Sequence, residues 1–254
     1  MEKWKIALKE FLKKYEDDDN VIGAILTGSY ASDNYDDNSD IDVILLLKDS
    51  TTFEEKGVTE SNSYLIEYFM HTPSMAKAYF KKQFKNKRMP LIYMYGYGKI
   101  IYDLEGDAKK LQDLALEYID SELDSITSND LDINNYHIWD YLDELSSSLK
   151  EESERFNLIY YKLLSEMYNI YSEYLGMPKL PETKIYKILT NAEYREKYHI
   201  YKLPEQEFIK LYLKCYELDK PSIMYKNISR LVEYYYKKQG GFNIRTFNIR
   251  KEYD

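Results

Sequence analysis

Two short apolar runs, VIGAILTG at residues 21–28 and IDVILLL at residues 41–47, constrain this chain more than any other feature. Each is bounded by polar turn residues and rich in branched side chains, as buried strands are. SYLIEYFMH (63–71) and GKIIYD (98–103) read as two more strands. Helical patterns surround them. Trp4, Leu8, Phe11, Leu12 and Tyr15 form one stripe near the start. Thr72 before Pro73 is a strong helix start, with an N-cap and a proline at the first helical position. That helix is expected to run through Met75, Tyr79, Phe80 and Phe84 to about Lys87.

Beyond Gly106 the strand pattern stops. Helical spacing is expected over residues 107–123, 134–150, 151–175, 204–218 and 221–238. Gly176 with the two prolines after it breaks the series, and Gly240-Gly241 ends it. The expected organisation is α+β: a small mixed sheet with flanking helices over residues 1–105, then an all-helical bundle over 106–254.

Composition narrows the function classes. Hydrophobic residues make up 44% of the 254, enough to fold, and the formal net charge is −9. An acidic chain is poorly suited to non-specific nucleic-acid binding, which relies on neutralising phosphates. Cys215 is the single cysteine, so no intramolecular disulfide can form, and no zinc set is available from it and three scattered histidines. No signal-peptide core and no apolar window of about 18 residues is present, so a cytoplasmic location without a membrane span is expected. The 29 tyrosines are expected at core edges and on the surface.

The chemistry concentrates between the first two strands. Asp40 and Asp42 alternate along the second, so both side chains leave one face, about 7 Å apart along the backbone. Ile41, Val43 and Leu45 turn the other way and can anchor the strand. Two carboxylates aimed together from a rigid element make an oxygen site for magnesium, which takes one or two carboxylates plus substrate phosphates. Paired ions there would serve phosphoryl or nucleotidyl transfer. Gly28 and Ser29, where the first strand ends, allow backbone N–H groups and a hydroxyl to approach a phosphate. A helix beginning at about Ser29 would favour the same anion. A calcium loop is excluded, because Ile41 and Leu47 stand where glycine and glutamate are required.

Gly28-Ser29, ten residues, then Asp40-Ile41-Asp42 with Ser39 before it and an apolar strand after it, resembles the signature of the DNA polymerase β-type nucleotidyltransferase superfamily. The resemblance implies Asp40 and Asp42 as catalytic metal ligands, with two magnesium ions, and Gly28, Ser29 and Ser39 at the nucleotide. It departs at one point: many small members carry a basic residue and a glycine after Gly-Ser-x-Ala, whereas Ser32 and Asp33 stand here. The family supplies a third carboxylate from a later strand. Glu67 is the best candidate, since an unpaired charge inside an apolar strand is costly. Metal ligand and general base are both open to it. Glu60 is the weaker substitute.

The two-part organisation is similar to that of aminoglycoside and lincosamide nucleotidyltransferases. That likeness implies transfer of AMP from ATP to a hydroxyl of a small, cationic, antibiotic-like acceptor. Residues 117–154 hold twelve acidic residues and one lysine, and Trp139, Asp140 and Glu144 are the acceptor-binding candidates there. Two alternatives stay open: a toxin-like or regulatory enzyme modifying protein or RNA, and a catalytically silent nucleotide-binding regulator. A ribonuclease of the HEPN type is disfavoured, because Arg195 and His199 enclose only three residues.

Overall fold

Residues 2–249 are described in the structure, a computed structural model. An amphipathic helix α1 (Lys3–Leu12) opens the chain, and β1 (Val21–Thr27) follows. β1 passes into a single helical turn, α2 (Gly28–Ala31), and then by a polar loop to β2 (Ile41–Leu47). β3 (Glu55–Ser61), β4 (Tyr64–His71), α3 (Pro73–Lys85), α4 (Pro90–Gly96), β5 (Lys99–Asp103) and α5 (Asp107–Asp120) come next. The five strands form one sheet in the order β3-β4-β2-β1-β5. Only the β2–β4 pair is parallel.

The pleat sorts the β2 side chains as the sequence alternation requires. Val43, Leu45 and Leu47 join Ala24, Leu26, Ile66 and Met70 in a core closed by Trp4, Ala7, Leu8, Phe11 and Leu12 of α1. Asp42 lies on the opposite face, with Ile44 and Leu46 further along the strand. Buried residues of α3, α4 and α5 (Ala76, Phe80, Ile92, Tyr95, Leu111, Ala115) serve that side of the unit. Thr72 caps α3 as expected, its side chain accepting from the Met75 N–H at 3.2 Å.

β3 was not legible as a strand. Its sequence, EKGVTES, is almost wholly polar and exposed because it is an edge strand paired only to β4. α4 is also unforeseen, a short helix opened by Pro90.

Backbone contacts divide the chain into two units. The first comprises residues 1–122 together with 196–199, and the second comprises 123–195 and 200–254. The first therefore runs past the boundary expected near residue 105, because α5 packs against α3, α4, β1 and β5.

The second unit is helical. It contains α6 (Ser128–Lys150), α7 (Phe156–Tyr174), α8 (Glu182–Thr190), most of α9 (Ala192–Lys197), α10 (Gln206–Lys214) and α11 (Pro221–Lys238). α6 starts six residues earlier than its apolar spacing indicates, since the Thr127 hydroxyl caps it by accepting from the Asp130 N–H. α7 begins at Phe156, after a turn in which Glu152 takes φ 50°. Around α7 gather Ile138, Leu145, Phe208, Tyr212, Ile228, Leu231 and Tyr235.

Tyrosine is a core residue here, against expectation. Tyr95, Tyr160, Tyr168, Tyr171, Tyr212 and Tyr235 are among the largest fully buried side chains. Each ring supplies apolar area, and some hydroxyls find internal acceptors, as Tyr160 does at the Cys215 carbonyl, 2.7 Å away. His71, expected at the surface or core edge, is also buried. Its Nε2 lies 2.6 Å from the Tyr95 hydroxyl, and burial pulls its pKa down to about 4, so the ring is neutral. No helix among the described residues is long and apolar enough to cross a membrane.

Candidate active site

The parallel pairing of β2 with β4 places Asp42 directly opposite Glu67. Paired residues on adjacent strands share a face and stand about 4.8 Å apart, so these two carboxylates are neighbours by construction. Asp40 completes the group from just before β2. Ligand oxygens of Asp40, Asp42 and Glu67 all lie within 4.8 Å of one another, with Asp40 exposed and the other two half-buried. Glu60 sits on exposed β3 opposite Leu65 and is not in the cluster.

Bringing three acids together has an electrostatic cost. The Asp42 carboxyl is pushed up to about 7, first by burial and then by the negative charges of Asp40 and Glu67. Lys56, on β3, works in the opposite direction. Its ammonium is 2.8 Å from Glu67 Oε1 and lies over the Phe69 ring at 4.7 Å. Lys56 was missed at the sequence level. It stands in a polar stretch, and only the β3–β4 pairing brings it to Glu67.

Gly28 is required twice over. Its φ is +67°, a left-handed conformation that side chains disfavour, and a Cβ there would lie 1.9 Å from Asp42 Oδ2. The glycine ending the first apolar run thus makes room for a carboxylate of the second. Thr27, opposite Asp42 in the β1–β2 ladder, is tied to α4 by its hydroxyl, which donates to the Met94 carbonyl at 3.1 Å. α2 is only one turn long, so it provides a few oriented N–H groups rather than an extended dipole. The turn is closed from behind: the Ser32 hydroxyl donates to the Gly28 and Ser29 carbonyls, and the Asn34 N–H donates to the Ser29 carbonyl at 2.9 Å.

The loop from α2 to Asp40 is held by rings and by an Asx-type turn. Tyr35 stacks on Tyr30 with centroids 4.3 Å apart, and Tyr30 packs against Trp4. Ser39 Oγ accepts from the Asp36 N–H at 2.9 Å and donates to Asp36 Oδ1 at 3.2 Å. A nucleotide contact from Ser39 would need that hydroxyl released. Trp139, Asp140 and Glu144 lie on α6 in the second unit, Trp139 half-buried and the two acids exposed.

These features can be compared with known proteins. The family model described as "Nucleotidyltransferase domain" matches residues 6–161, more than half of the chain and including every member of the carboxylate cluster. The chain belongs to the nucleotidyltransferase domain family. It is a transferase of nucleotidyl groups of the polymerase β-type superfamily, with a mixed α/β domain and a helical C-terminal region. Among solved structures, a nucleotidyltransferase-like protein from Exiguobacterium sibiricum is similar at 9% identity and a TM-score of 0.44, over 93% of this chain and 77% of that one. No curated protein matches the sequence.

Proposed function

We propose that this nucleotidyltransferase moves AMP from ATP to a hydroxyl of a small, cationic acceptor of the aminoglycoside kind, with magnesium at the carboxylate cluster. The observation that carries the reading is the register of Asp42 beside Glu67, with Asp40 within reach and Gly28 cleared of a side chain. Three oxygen donors, with no nitrogen or sulfur among them, suit a hard divalent cation. Magnesium held there supplies charge neutralisation for the triphosphate and for the attacking and leaving oxygens.

The chain's own part is alignment. Asp42 presents its oxygens from a strand buried in the sheet and Asp40 from the residue just before it, so little reorganisation is needed during transfer. Gly28 and Ser29 offer N–H groups and a hydroxyl to the phosphates. Glu67 either completes the ligand set or accepts the proton of the acceptor hydroxyl. A Glu67→Gln variant separates these roles: lost manganese affinity marks a ligand, whereas retained affinity with lost turnover marks a base. The acidic face of α6, with Trp139, Asp140 and Glu144, supports a cationic acceptor.

The test is pyrophosphate release with magnesium and each nucleoside triphosphate, with and without a panel of aminoglycosides and lincosamides. Release that depends on an antibiotic is the expected result. Release accompanied by labelled protein or RNA would move the acceptor to a macromolecule. Bound nucleotide with no release under any condition would leave a regulator instead of an enzyme.

A further inference from the structure

The Gly28-to-Asp33 turn contains no cation, although a triphosphate bound there would bring several negative charges beside Asp40, Asp42 and Glu67. Two lysines distant in sequence converge on the end of this turn. Lys99 Nζ lies 3.4 Å from Asp33 Oδ2, and Lys197 Nζ donates to the Asp33 carbonyl at 3.1 Å. Asp33 has a left-handed φ of 53°, and the chain folds back so that the next residue, Asn34, bonds to Ser29. Both ammonium groups therefore stand at the end of the turn whose first residues are proposed to meet the phosphates.

Each lysine is placed by something other than Asp33. Lys99 opens β5 opposite Leu26, so its stem leaves the sheet next to the end of β1. Lys197 belongs to the short segment 196–199 that the contacts assign to the first unit. Beside it, His199 stacks on Tyr97 with centroids 3.8 Å apart and planes 10° from parallel. Burial raises the pKa of the Tyr198 hydroxyl, and hydrogen bonds with the Ser32 and Asn34 side chains oppose the rise. The segment is thus pinned along the turn. Exposed ion pairs add little to stability, and Lys99 and Asp33 are 54% and 75% exposed, so folding alone gives the Lys99–Asp33 pair slight reason.

We infer that Lys99 and Lys197 bind the terminal phosphates of the nucleotide, replacing the cation that the Gly-Ser turn lacks, with the Asp33 carboxylate as the counter-ion of Lys99 until phosphate arrives. This rests on the reading that the carboxylate cluster receives a metal-bound nucleoside triphosphate. Lysine acts here as a positive point charge on phosphate oxygens, and no bond is made or broken by it.

The experiment uses the full chain and inorganic tripolyphosphate with manganese, which removes any dependence on the base. Calorimetric titration compares the native protein with Lys99→Gln, Lys197→Gln, Lys197→Arg, Asp33→Asn and a remote control, Lys109→Gln. Each Lys→Gln change at the site should weaken tripolyphosphate binding about tenfold. Manganese alone should bind as before, and melting temperatures should hold. Lys197→Arg should restore most of the loss. Asp33→Asn should bind at least as tightly as the native protein, because it removes only the competing anion. Native-like binding by both Lys→Gln variants would overturn the inference, as would an equal loss in Asp33→Asn, which would mean the lysines merely brace the turn. Failure of the native protein to bind manganese tripolyphosphate, or undiminished binding by Asp42→Asn, would instead bring down the site reading and this inference with it.

Discussion

Two groups of acids in this protein look alike in sequence and behave differently in space. Residues 117–154 hold twelve carboxylates, and those singled out on α6, Asp140 and Glu144, are exposed. Asp40, Asp42 and Glu67 are fewer and spread over 28 positions, yet their oxygens gather within 4.8 Å. Water screens the first group. Burial and strand pairing couple the second, and the Asp42 carboxyl rises to about 7 as a result. Density along the chain goes here with a solvated face, whereas pairing through a sheet gathers acids that lie far apart in sequence.

The sharpest way to break this contrast is to neutralise one acid from each group. Asp42→Asn should lower turnover by about two to three orders of magnitude, as expected for losing a group that stabilises the transition state. Asp140→Asn should leave the maximal rate within about a factor of three and act mainly on KM for the acceptor. Pyrophosphate-release kinetics, with circular dichroism to confirm folding, measures both. Equal losses would erase the distinction.

Gly28→Ala tests whether the cluster depends on its glycine. The left-handed φ alone should cost about 1–2 kcal/mol, and the new Cβ would displace the Asp42 carboxylate it would otherwise meet at 1.9 Å. Urea unfolding should show the destabilisation, and manganese titration should show weakened binding. A variant that kept native metal affinity would mean that Asp42 can work from another position.

The raised Asp42 pKa also makes a pH prediction. Between the ordinary carboxylate value near 4 and about 7, the metal-free native state holds a proton that the unfolded chain has released. Stability of the metal-free protein should therefore fall as pH rises across that window. Metal binding must expel the same proton, so magnesium affinity should rise over the same window. Thermal melts at pH 5 and pH 8, with and without magnesium, should show a larger stabilisation by the metal at pH 8. A metal effect that did not change with pH would place Asp42 outside the ligand set.

The smallest effect belongs to the exposed face. Glu144→Gln should change unfolding free energy by no more than about 0.5 kcal/mol. A larger change by chemical denaturation would show that α6 carries a coupled acid after all.

Much of the first unit was legible because its signals are local. The alternation of Asp40 and Asp42 with Ile41, Val43 and Leu45 follows from the two-residue period of a strand, and the Thr72-Pro73 start follows from capping chemistry. Glu67 stood out because a charge within an apolar run is costly. In the second unit, apolar spacing located the long helices but missed α8 and α9, which are short, and misplaced the starts of α6 and α7, which are set by a cap and a turn. The tyrosine core was illegible there, since a tyrosine reads the same on paper whether its hydroxyl meets water or a buried carbonyl.

What the sequence determined by itself was the pair of strands, the glycine between them and the two acids that share a face, because each depends on residues a few positions apart. Tertiary structure alone decided that Asp42 faces Glu67, that Lys56 balances them from an edge strand, and that Lys197 reaches the Asp33 carbonyl across 164 positions. Strand register and side-chain reach are properties of packed elements, and the energy of a charge depends on which neighbours packing brings within a few ångströms.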